Sequence, residues 1–255
     1  MPAPLNTFKQ RLNAGETLIG CWLSLGEGPA AEIMGTAGFD WLVIDGEHAV
    51  NDIRSIREQL IGLDASPSHP IVRVPVGEAW IIKQVLDAGA QTVLVPMVES
   101  AAQAREMVRA CRYPPQGIRG VGAGSARASR FSALANYTET ANEQISLIVQ
   151  VESRAGLAAL DEILGVEGVD CVFIGPADLA ADMGHPGKSG APEVHAAILD
   201  ALARIAAAGK APGILALDEA TTQAYLDGGA RFVAVGIDIL VLVQTARKLA
   251  ARWKG

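Results

Sequence analysis

Short runs of apolar, often β-branched residues recur along the whole chain. Eight such runs can be recognised, at residues 18–23, 41–44, 71–74, 93–95, 147–151, 171–174, 213–217 and 232–235. A short and continuous apolar run is typical of a strand that is buried on both faces of a sheet. The pattern therefore predicts eight buried strands.

The segments between these runs have helical spacing. Ile53, Ile56 and Leu60 recur on one helical face, and glycines such as Gly38 and Gly89 stand where a helix would end. Buried strands that alternate with helices indicate a parallel sheet covered by helices. Eight units predict an α/β fold, a (β/α)8 TIM barrel, with residues 1–255 forming a single domain.

One connection, between the fourth and fifth strands, is much longer than the others. It spans residues 113–144 and carries several glycines and arginines before a polar stretch. Long structured connections in compact domains are often functional, so we expect this loop to contribute to a site. A floppy insertion is the alternative.

Composition narrows the range of partners. The net charge of −7 and the 5% aromatic content argue against nucleic-acid binding, which needs basic surfaces and stacking rings. The three cysteines have no CxxC spacing, the N-terminus lacks an apolar signal region, and no apolar stretch is long enough to span a membrane. We expect a cytoplasmic protein that binds small molecules, with neither nucleic acid nor membrane as a partner.

Two acidic residues follow neighbouring apolar runs. Glu152 comes directly after the fifth run, and Asp178 follows the sixth. The C-terminal ends of barrel strands meet on the face that carries active sites. Because carboxylate oxygens suit Mg²⁺ or Mn²⁺, the two residues predict a divalent metal site. Each could instead stabilise the dipole of the helix that follows it.

Further candidate residues fall on the same rim. Arg73 lies inside an apolar run, and a buried guanidinium needs an anionic partner, such as a substrate carboxylate or a structural glutamate. His48 follows the second run, and Asp45 three residues earlier could orient the imidazole as a general base. Gln150 precedes Glu152 by two residues. The rim therefore combines candidate metal, anion and proton-transfer groups.

Two kinds of chemistry are disfavoured by what the strand ends lack. A Schiff-base enzyme needs a lysine there, and none of the six lysines occupies such a position. A phosphate site in this fold usually involves the seventh and eighth loops, which here carry acidic residues instead. Imine catalysis and sugar-phosphate substrates are therefore not expected.

Five segments resemble the HpcH/HpaI aldolases, a family of metal-dependent (class II) pyruvate aldolases. They are DWLVIDGEH (40–48), LVPMV (94–98), YPPQGIRGVG (113–122), VQVE (149–152) and VFIGPADL (172–179). The resemblance extends from about residue 8 to residue 252. It implies an aldehyde-lyase that reversibly cleaves 4-hydroxy-2-oxo acids to pyruvate or hydroxypyruvate and an aldehyde, through a metal-bound enolate.

The resemblance also implies roles for individual residues. Glu152 and Asp178 resemble the two protein ligands of Mg²⁺, Mn²⁺ or Co²⁺. Arg73 resembles the residue that holds the 2-oxo acid, and His48 with Asp45 the acid/base dyad. The residues expected to line the substrate site are Trp22, Arg73, Arg127, Gln150, Gly175, Pro176, Ala177 and Leu215, with Arg127 at the distal part of the aldehyde and Leu215 as a wall.

A homo-oligomer is implied as well. The family forms hexamers, trimers of dimers that exchange their C-terminal helix, so the helix predicted at 239–253 is expected to pack on a neighbour. Its apolar residues are equally compatible with packing on its own barrel; they are Leu240, Leu242, Val243 and Leu249. Asp87 is expected to reach a neighbouring site.

Two other functions remain open from the sequence. A malyl- or citramalyl-CoA lyase would use similar acidic ligands but needs a basic cleft for the CoA phosphates, and the chain has no obvious lysine cluster. A non-catalytic barrel that binds a 2-oxo acid is the other possibility. The sequence also leaves open which aldehyde is used and whether pyruvate or hydroxypyruvate is the nucleophile.

Overall fold

The computed structural model describes residues 1–254, which form a closed barrel of eight parallel strands. The strands are β1 (Leu18–Leu23), β2 (Trp41–Asp45), β3 (His69–Arg73), β4 (Thr92–Val95), β5 (Ser146–Val151), β6 (Cys171–Ile174), β7 (Ala211–Leu215) and β8 (Phe232–Ile237). Each strand pairs with the next, and β8 pairs with β1. The predicted TIM barrel is confirmed, and every predicted run overlaps one of these strands.

Helices follow the strands and cover the outside of the barrel. They are α1 (Thr7–Asn13), α2 (Gly28–Gly35), α3 (Ile53–Gly62), α4 (Ala79–Asp87), α5 (Ala101–Cys111), α6 (Tyr137–Gln144), α7 (Arg154–Ala158), α8 (Leu160–Leu164), α9 (Pro176–Asp182), α10 (Pro192–Ala207), α11 (Glu219–Asp227) and α12 (Asp238–Lys254). Within residues 1–254, none of them is long and apolar enough to cross a membrane.

Alternate strand residues point inward and fill the barrel with apolar side chains. This interior cluster includes Leu18, Trp22, Trp41, Val43, Ile71, Leu94, Ile148, Cys171, Phe173, Phe232 and Ala234. Gly20 makes room for the Trp41 ring, because a Cβ at this glycine would overlap the indole. The interior is therefore a packed core, which leaves space only beyond the strand ends.

The first helix closes the N-terminal end of this core, a feature that the strand and helix pattern did not indicate. Asn6 caps α1 by accepting a hydrogen bond from the Lys9 amide at 2.9 Å. Phe8 and Leu12 of α1 are buried in the interior cluster. One end of the barrel is thereby sealed, and the site must lie at the other.

The long connection between β4 and β5 is folded rather than floppy. It contains two short 3₁₀ turns, Ala123–Ser125 and Arg127–Ser129, and then α6. Arg119 is fully buried, with its guanidinium 4.3 Å from the centre of the Tyr113 ring and Nη2 2.6 Å from Asp87 Oδ1. The alternative of a floppy insertion was therefore wrong.

The last helix does not pack on its own barrel along most of its length. Every residue from 244 to 254 is exposed. Of the predicted apolar face, Leu242 and Leu249 are 58% and 59% exposed. Leu240 and Val243, near the start of the helix, are half-buried, so ordinary barrel packing, one of the two interpretations of the sequence, holds only for this first part.

Candidate active site

The alternation that fills the barrel also brings polar residues together above the core. Ile71 and Ile148 point into the interior, so Arg73 and Gln150, two residues further along, point the same way. They line a cavity of about 240 Å³ at the C-terminal ends of the strands. The other residues around it are Trp22, Ser24, Asp45, His48, Glu152, Phe173, Gly175, Pro176, Ala177, Asp178, Leu215 and Ile237. All the predicted site residues except Arg127 are brought together here.

Arg73 is held between two carboxylates. Its Nε and Nη2 donate to the two oxygens of Asp45 at 2.8 and 2.7 Å, while Nη1 lies 2.7 Å from Glu47 Oε2. Burial alone would raise the pKa of Asp45, but the hydrogen bonds and charge of Arg73 lower it below its ordinary value. The planar fork of the guanidinium is thus fixed in one orientation at the floor of the cavity.

Glu152 is a buried carboxylate at the end of β5. Its Oε1 accepts a hydrogen bond from the Met97 amide at 2.9 Å, and its Oε2 accepts one from the Gln150 side chain. Burial raises the pKa of Glu152, and the neighbouring negative charges of Glu47 and Asp178 raise it further, although both hydrogen bonds oppose the shift. Negative charge is concentrated here without a lysine or arginine bonded to Glu152.

Met97 reverses the chain at the end of β4 with an unusual backbone conformation. Its φ of 54° lies in the left-handed region, which side-chain-bearing residues rarely adopt. The reversal directs two successive amides at β5, since Met97 donates to Glu152 and the Val98 amide donates to the Gln150 carbonyl at 3.0 Å. Backbone strain at the rim is therefore coupled to the position of Glu152.

Asp178 lies beside Glu152 at the start of α9. It occupies the first turn of this helix and is exposed, whereas Gly175 at the N-cap is buried. A Cβ at Gly175 would lie 2.8 Å from the Cβ of Glu152 and would overlap its Oε2. Only glycine at this position leaves room for the Glu152 carboxylate where it bonds Met97 and Gln150.

The oxygen atoms around Glu152 fit a hard divalent cation. Glu152 and Asp178 provide carboxylates, and the buried Oε1 of Gln150 has no hydrogen-bond partner. Among the described residues, no group of three or more His, Cys, Asp or Glu side chains is arranged to hold a metal. A cation here would have two protein carboxylates and positions left for substrate and water.

His48 stands at the rim, but the structure does not pair its imidazole with Asp45 as predicted. Asp45 Oδ1 accepts from the backbone amide of His48 at 3.3 Å, and both of its oxygens bond Arg73. The carboxylate near the ring is Glu47, whose Oε2 is 3.9 Å from His48 Nε2. The expected side-chain dyad is therefore replaced by an Asp45–Arg73 pair.

Arg127 lies at the opposite end of the barrel from the cavity. Its guanidinium pairs with Asp64 and donates to the carbonyl oxygens of Ala88 at 3.1 Å and Leu60 at 3.4 Å. These acceptors follow or end α3 and α4, which run back from the active face. Arg127 lines a separate groove of about 580 Å³ at that end. Within one chain Arg127 is thus separated from the cavity that the other predicted residues line, and its contact with the aldehyde stays a prediction.

Two residues that contact the predicted groups were missed from the sequence. Glu47 sits in the same segment as Asp45 and His48, and an acidic residue beside two candidates was a usable signal. Met97 acts through its backbone, for which no side-chain pattern exists. The two apolar residues predicted for the site do line the cavity. Trp22 lies 5.2 Å from the Arg73 guanidinium, and Leu215 forms part of the wall.

The chain is similar to known proteins in sequence and in structure. A model of the HpcH/HpaI aldolase/citrate lyase family matches residues 18–245. A hydroxypyruvate/pyruvate aldolase from Roseovarius nubinhibens is 62% identical over 254 residues, covering 100% of this chain and 99% of that protein. A 4-hydroxy-2-oxo-heptane-1,7-dioate aldolase from Escherichia coli is 52% identical over 248 residues, covering 97% and 95%.

A crystal structure of an HpcH/HpaI aldolase/citrate lyase family protein from Burkholderia cenocepacia J2315 superposes with a TM-score of 0.94. It is 44% identical, and the match covers 98% of this chain and 100% of that one. The chain therefore belongs to the HpcH/HpaI aldolase/citrate lyase family and is an enzyme, a carbon–carbon lyase of the aldolase type.

Proposed function

We propose that this enzyme is a divalent-metal-dependent aldolase that reversibly cleaves 4-hydroxy-2-oxo acids to a three-carbon 2-oxo acid and an aldehyde. One observation carries the proposal: the carboxylates of Glu152 and Asp178 and the guanidinium of Arg73 line a single small cavity. Among its described lining residues there is no lysine that could form an imine with the substrate.

The residues present fit a hard cation such as Mg²⁺, Mn²⁺ or Co²⁺. Glu152 and Asp178 would hold it, with the unpaired oxygen of Gln150 close by. When bound, the cation supplies Lewis acidity that stabilises negative charge developing on the keto oxygen of the substrate. This is the task that a lysine performs in imine-forming aldolases.

Arg73 is suited to hold the 2-oxo acid. Asp45 fixes its guanidinium through two hydrogen bonds, so the N–H groups that Asp45 leaves free on Nη1 and Nη2 can serve both the neighbouring Glu47 and the substrate. A fixed cation beside the keto and carboxylate oxygens stabilises charge that grows during C–C cleavage. Arg73 thus binds the substrate and assists the reaction.

His48 is the proton carrier of the proposal. Its imidazole is 64% exposed at the rim, where it can take the proton of the substrate's C4 hydroxyl, directly or through water. The C3–C4 bond then breaks, its electron pair passes to the 2-oxo acid fragment as an enolate, and the aldehyde leaves. The proton taken up by His48 can then pass to C3 of the enolate, which gives the free 2-oxo acid. Aldol addition is the reverse, with the proton returned to the new hydroxyl.

The nucleophile of the addition is proposed to be pyruvate or hydroxypyruvate. Support comes from the relative that is 62% identical over the whole chain and bears the name hydroxypyruvate/pyruvate aldolase. Trp22 and Leu215 form the apolar part of the cavity wall. They suit the carbon chain of an aldehyde rather than a CoA thioester, whose phosphates need basic residues.

A metal-dependence assay tests this function. Pyruvate release from 4-hydroxy-2-oxo acids should cease after EDTA treatment and return with Mg²⁺, Mn²⁺ or Co²⁺. Glu152→Gln and Asp178→Asn should lose Mn²⁺ binding in titrations followed by electron paramagnetic resonance. Glu106→Gln, at an exposed position of α5, is the control and should behave as the native enzyme. Activity that is unaffected by EDTA would refute the proposal.

The assembly is the second part of the proposal. We infer that α12 packs on another copy of the chain, in a hexamer, because its apolar side chains stay exposed on a single chain. Trp253, near the end of the helix, is 76% exposed. Leaving several large apolar residues of one helix in water is unfavourable, and a symmetric partner would bury them.

A further inference from the structure

Glu47 lies next to Arg73 and His48, the two residues that act on the substrate in the proposed function. The proposed function gives Glu47 itself no role. Its Oε2 is 2.7 Å from Arg73 Nη1 and 3.9 Å from His48 Nε2. Asp45 occupies the other side of the guanidinium and accepts from the backbone amides of Glu47 and His48, but not from the His48 ring. Glu47 is thus the carboxylate that bridges the guanidinium and the imidazole.

The backbone around Glu47 is tightly constrained. The preceding Gly46 donates its amide to the Arg73 carbonyl oxygen at 2.8 Å. A Cβ at Gly46 would lie 2.6 Å from the same oxygen, so only glycine permits this approach of the two chains. Two strand ends are therefore joined directly beneath Glu47, and its side chain starts from a fixed point next to Arg73.

The side chain of Glu47 is largely buried but lacks a hydrogen bond at one of its oxygens. It is only 16% exposed, and its buried Oε2 has no aligned hydrogen bond despite its closeness to the guanidinium. A buried acceptor without a hydrogen bond destabilises the folded protein unless a donor pairs with it. The available donors are Arg73 Nη1, the imidazole and a hydroxyl or water in the cavity. Small movements would pair Glu47 with any of them.

We propose that Glu47 is a positioning residue, which holds the Nη1 side of Arg73 and the ring of His48 in the orientation that the aldol reaction needs. The inference rests on the proposed function, because it concerns how Arg73 and His48 meet the substrate. Glu47 need not touch the reacting atoms. Its effect passes through the two residues that it bridges.

Glu47→Gln is the decisive variant, because it keeps the size of the side chain and removes its charge. We expect kcat to fall about 10²-fold, the cost associated with misplaced catalytic groups. KM should change much less than kcat, because Asp45 still accepts two hydrogen bonds from Arg73 and keeps its guanidinium in place. Mn²⁺ binding, measured by electron paramagnetic resonance, should be retained, because the carboxylates of Glu152 and Asp178 are unchanged and neither is hydrogen-bonded to Glu47.

Two further variants complete the test. Glu47→Asp retains the charge on a shorter side chain and should recover part of the lost kcat. Glu27→Gln, exposed on the adjacent loop and outside the cavity, should match the native enzyme in kcat, KM and pH profile. Circular dichroism confirms that each variant is folded before kinetics are compared.

The outcomes separate this inference from the proposed function. If Glu47→Gln has the kcat, KM and pH profile of Glu27→Gln, Glu47 merely fills space and the inference is overturned. A native enzyme that releases no pyruvate with any of the three cations would overturn the proposed function and this inference with it. A kcat that falls much more than KM changes, with Mn²⁺ binding retained and partial recovery in Glu47→Asp, supports the positioning role.

Discussion

At the scale of single residues, a missing side chain is as important to this site as the side chains present. Gly175 caps α9 in an ordinary extended conformation, so its absence of a Cβ is not needed for backbone freedom. It is needed for space, because a Cβ would overlap the Glu152 carboxylate. The orientation of the Glu152 carboxylate, a proposed metal ligand, therefore depends on the residue that leaves room for it.

Gly175→Ala should weaken metal binding without unfolding the protein. The added methyl group displaces Glu152 from Gln150 and from the Met97 amide. Loss of such supporting contacts typically lowers metal affinity by about 10- to 100-fold. Isothermal titration with Mn²⁺ measures the change. Gly190→Ala, where a Cβ would meet nothing within 4 Å, is the matched control, and equal affinities of the two variants would contradict the steric argument.

At the scale of strands and helices, alternation along the strands explains what the sequence could predict. Apolar runs locate the strands, and the period of two then directs Arg73, Gln150 and Leu215 into one cavity. Side chains on loops follow no such rule. Arg127 lies on a long connection whose path depends on tertiary contacts, and it ended at the far side of the barrel.

The pairing of Asp45 shows a second limit to what the sequence can predict. Its distance in sequence from His48 allowed a hydrogen bond between their side chains, but a bidentate partner from the neighbouring strand competes for the same oxygens. Asp45 and Arg73 are paired in register on β2 and β3. Register between strands is a property of the folded sheet, so local spacing in one segment could not reveal this choice.

The first helix and β3 meet in a contact that should make stability depend on pH. The His69 ring stacks on Phe8 at 5.5 Å, and its Nε2 lies 2.8 Å from Thr92 Oγ1. Burial lowers the pKa of His69 to about 4. The unfolded chain, with an ordinary histidine pKa of about 6.5, takes up a proton as pH falls, while the folded protein does not.

The stabilising effect of neutral His69 is therefore complete above about pH 6.5 and is lost as pH falls towards 4. The free energy of unfolding should therefore be lower at pH 5 than at pH 7 by about 2 kcal/mol. His69→Gln keeps a polar partner for Thr92 but cannot titrate, so its urea unfolding curves should change less over this interval. An equally steep pH dependence in the variant would exclude His69 as the source.

At the scale of the whole molecule, the chain presents an apolar helix that its own barrel does not cover. Leu242, Leu249 and Trp253 of α12 are each more than half exposed. They recur at intervals of seven and four residues, so they lie on one face of the helix. An apolar stripe of this kind is characteristic of a helix that packs on another surface.

Disrupting this stripe should therefore reduce the size of the assembly. In sedimentation velocity experiments the native enzyme should behave as a hexamer, whereas Leu242→Glu with Leu249→Glu should yield smaller species, because charges buried in an apolar contact lose their hydration. Lys248→Glu, a charge change at a polar position of the same helix, should leave the assembly intact. A native monomer, or a double variant of native size, would show that α12 does not hold copies of the chain together.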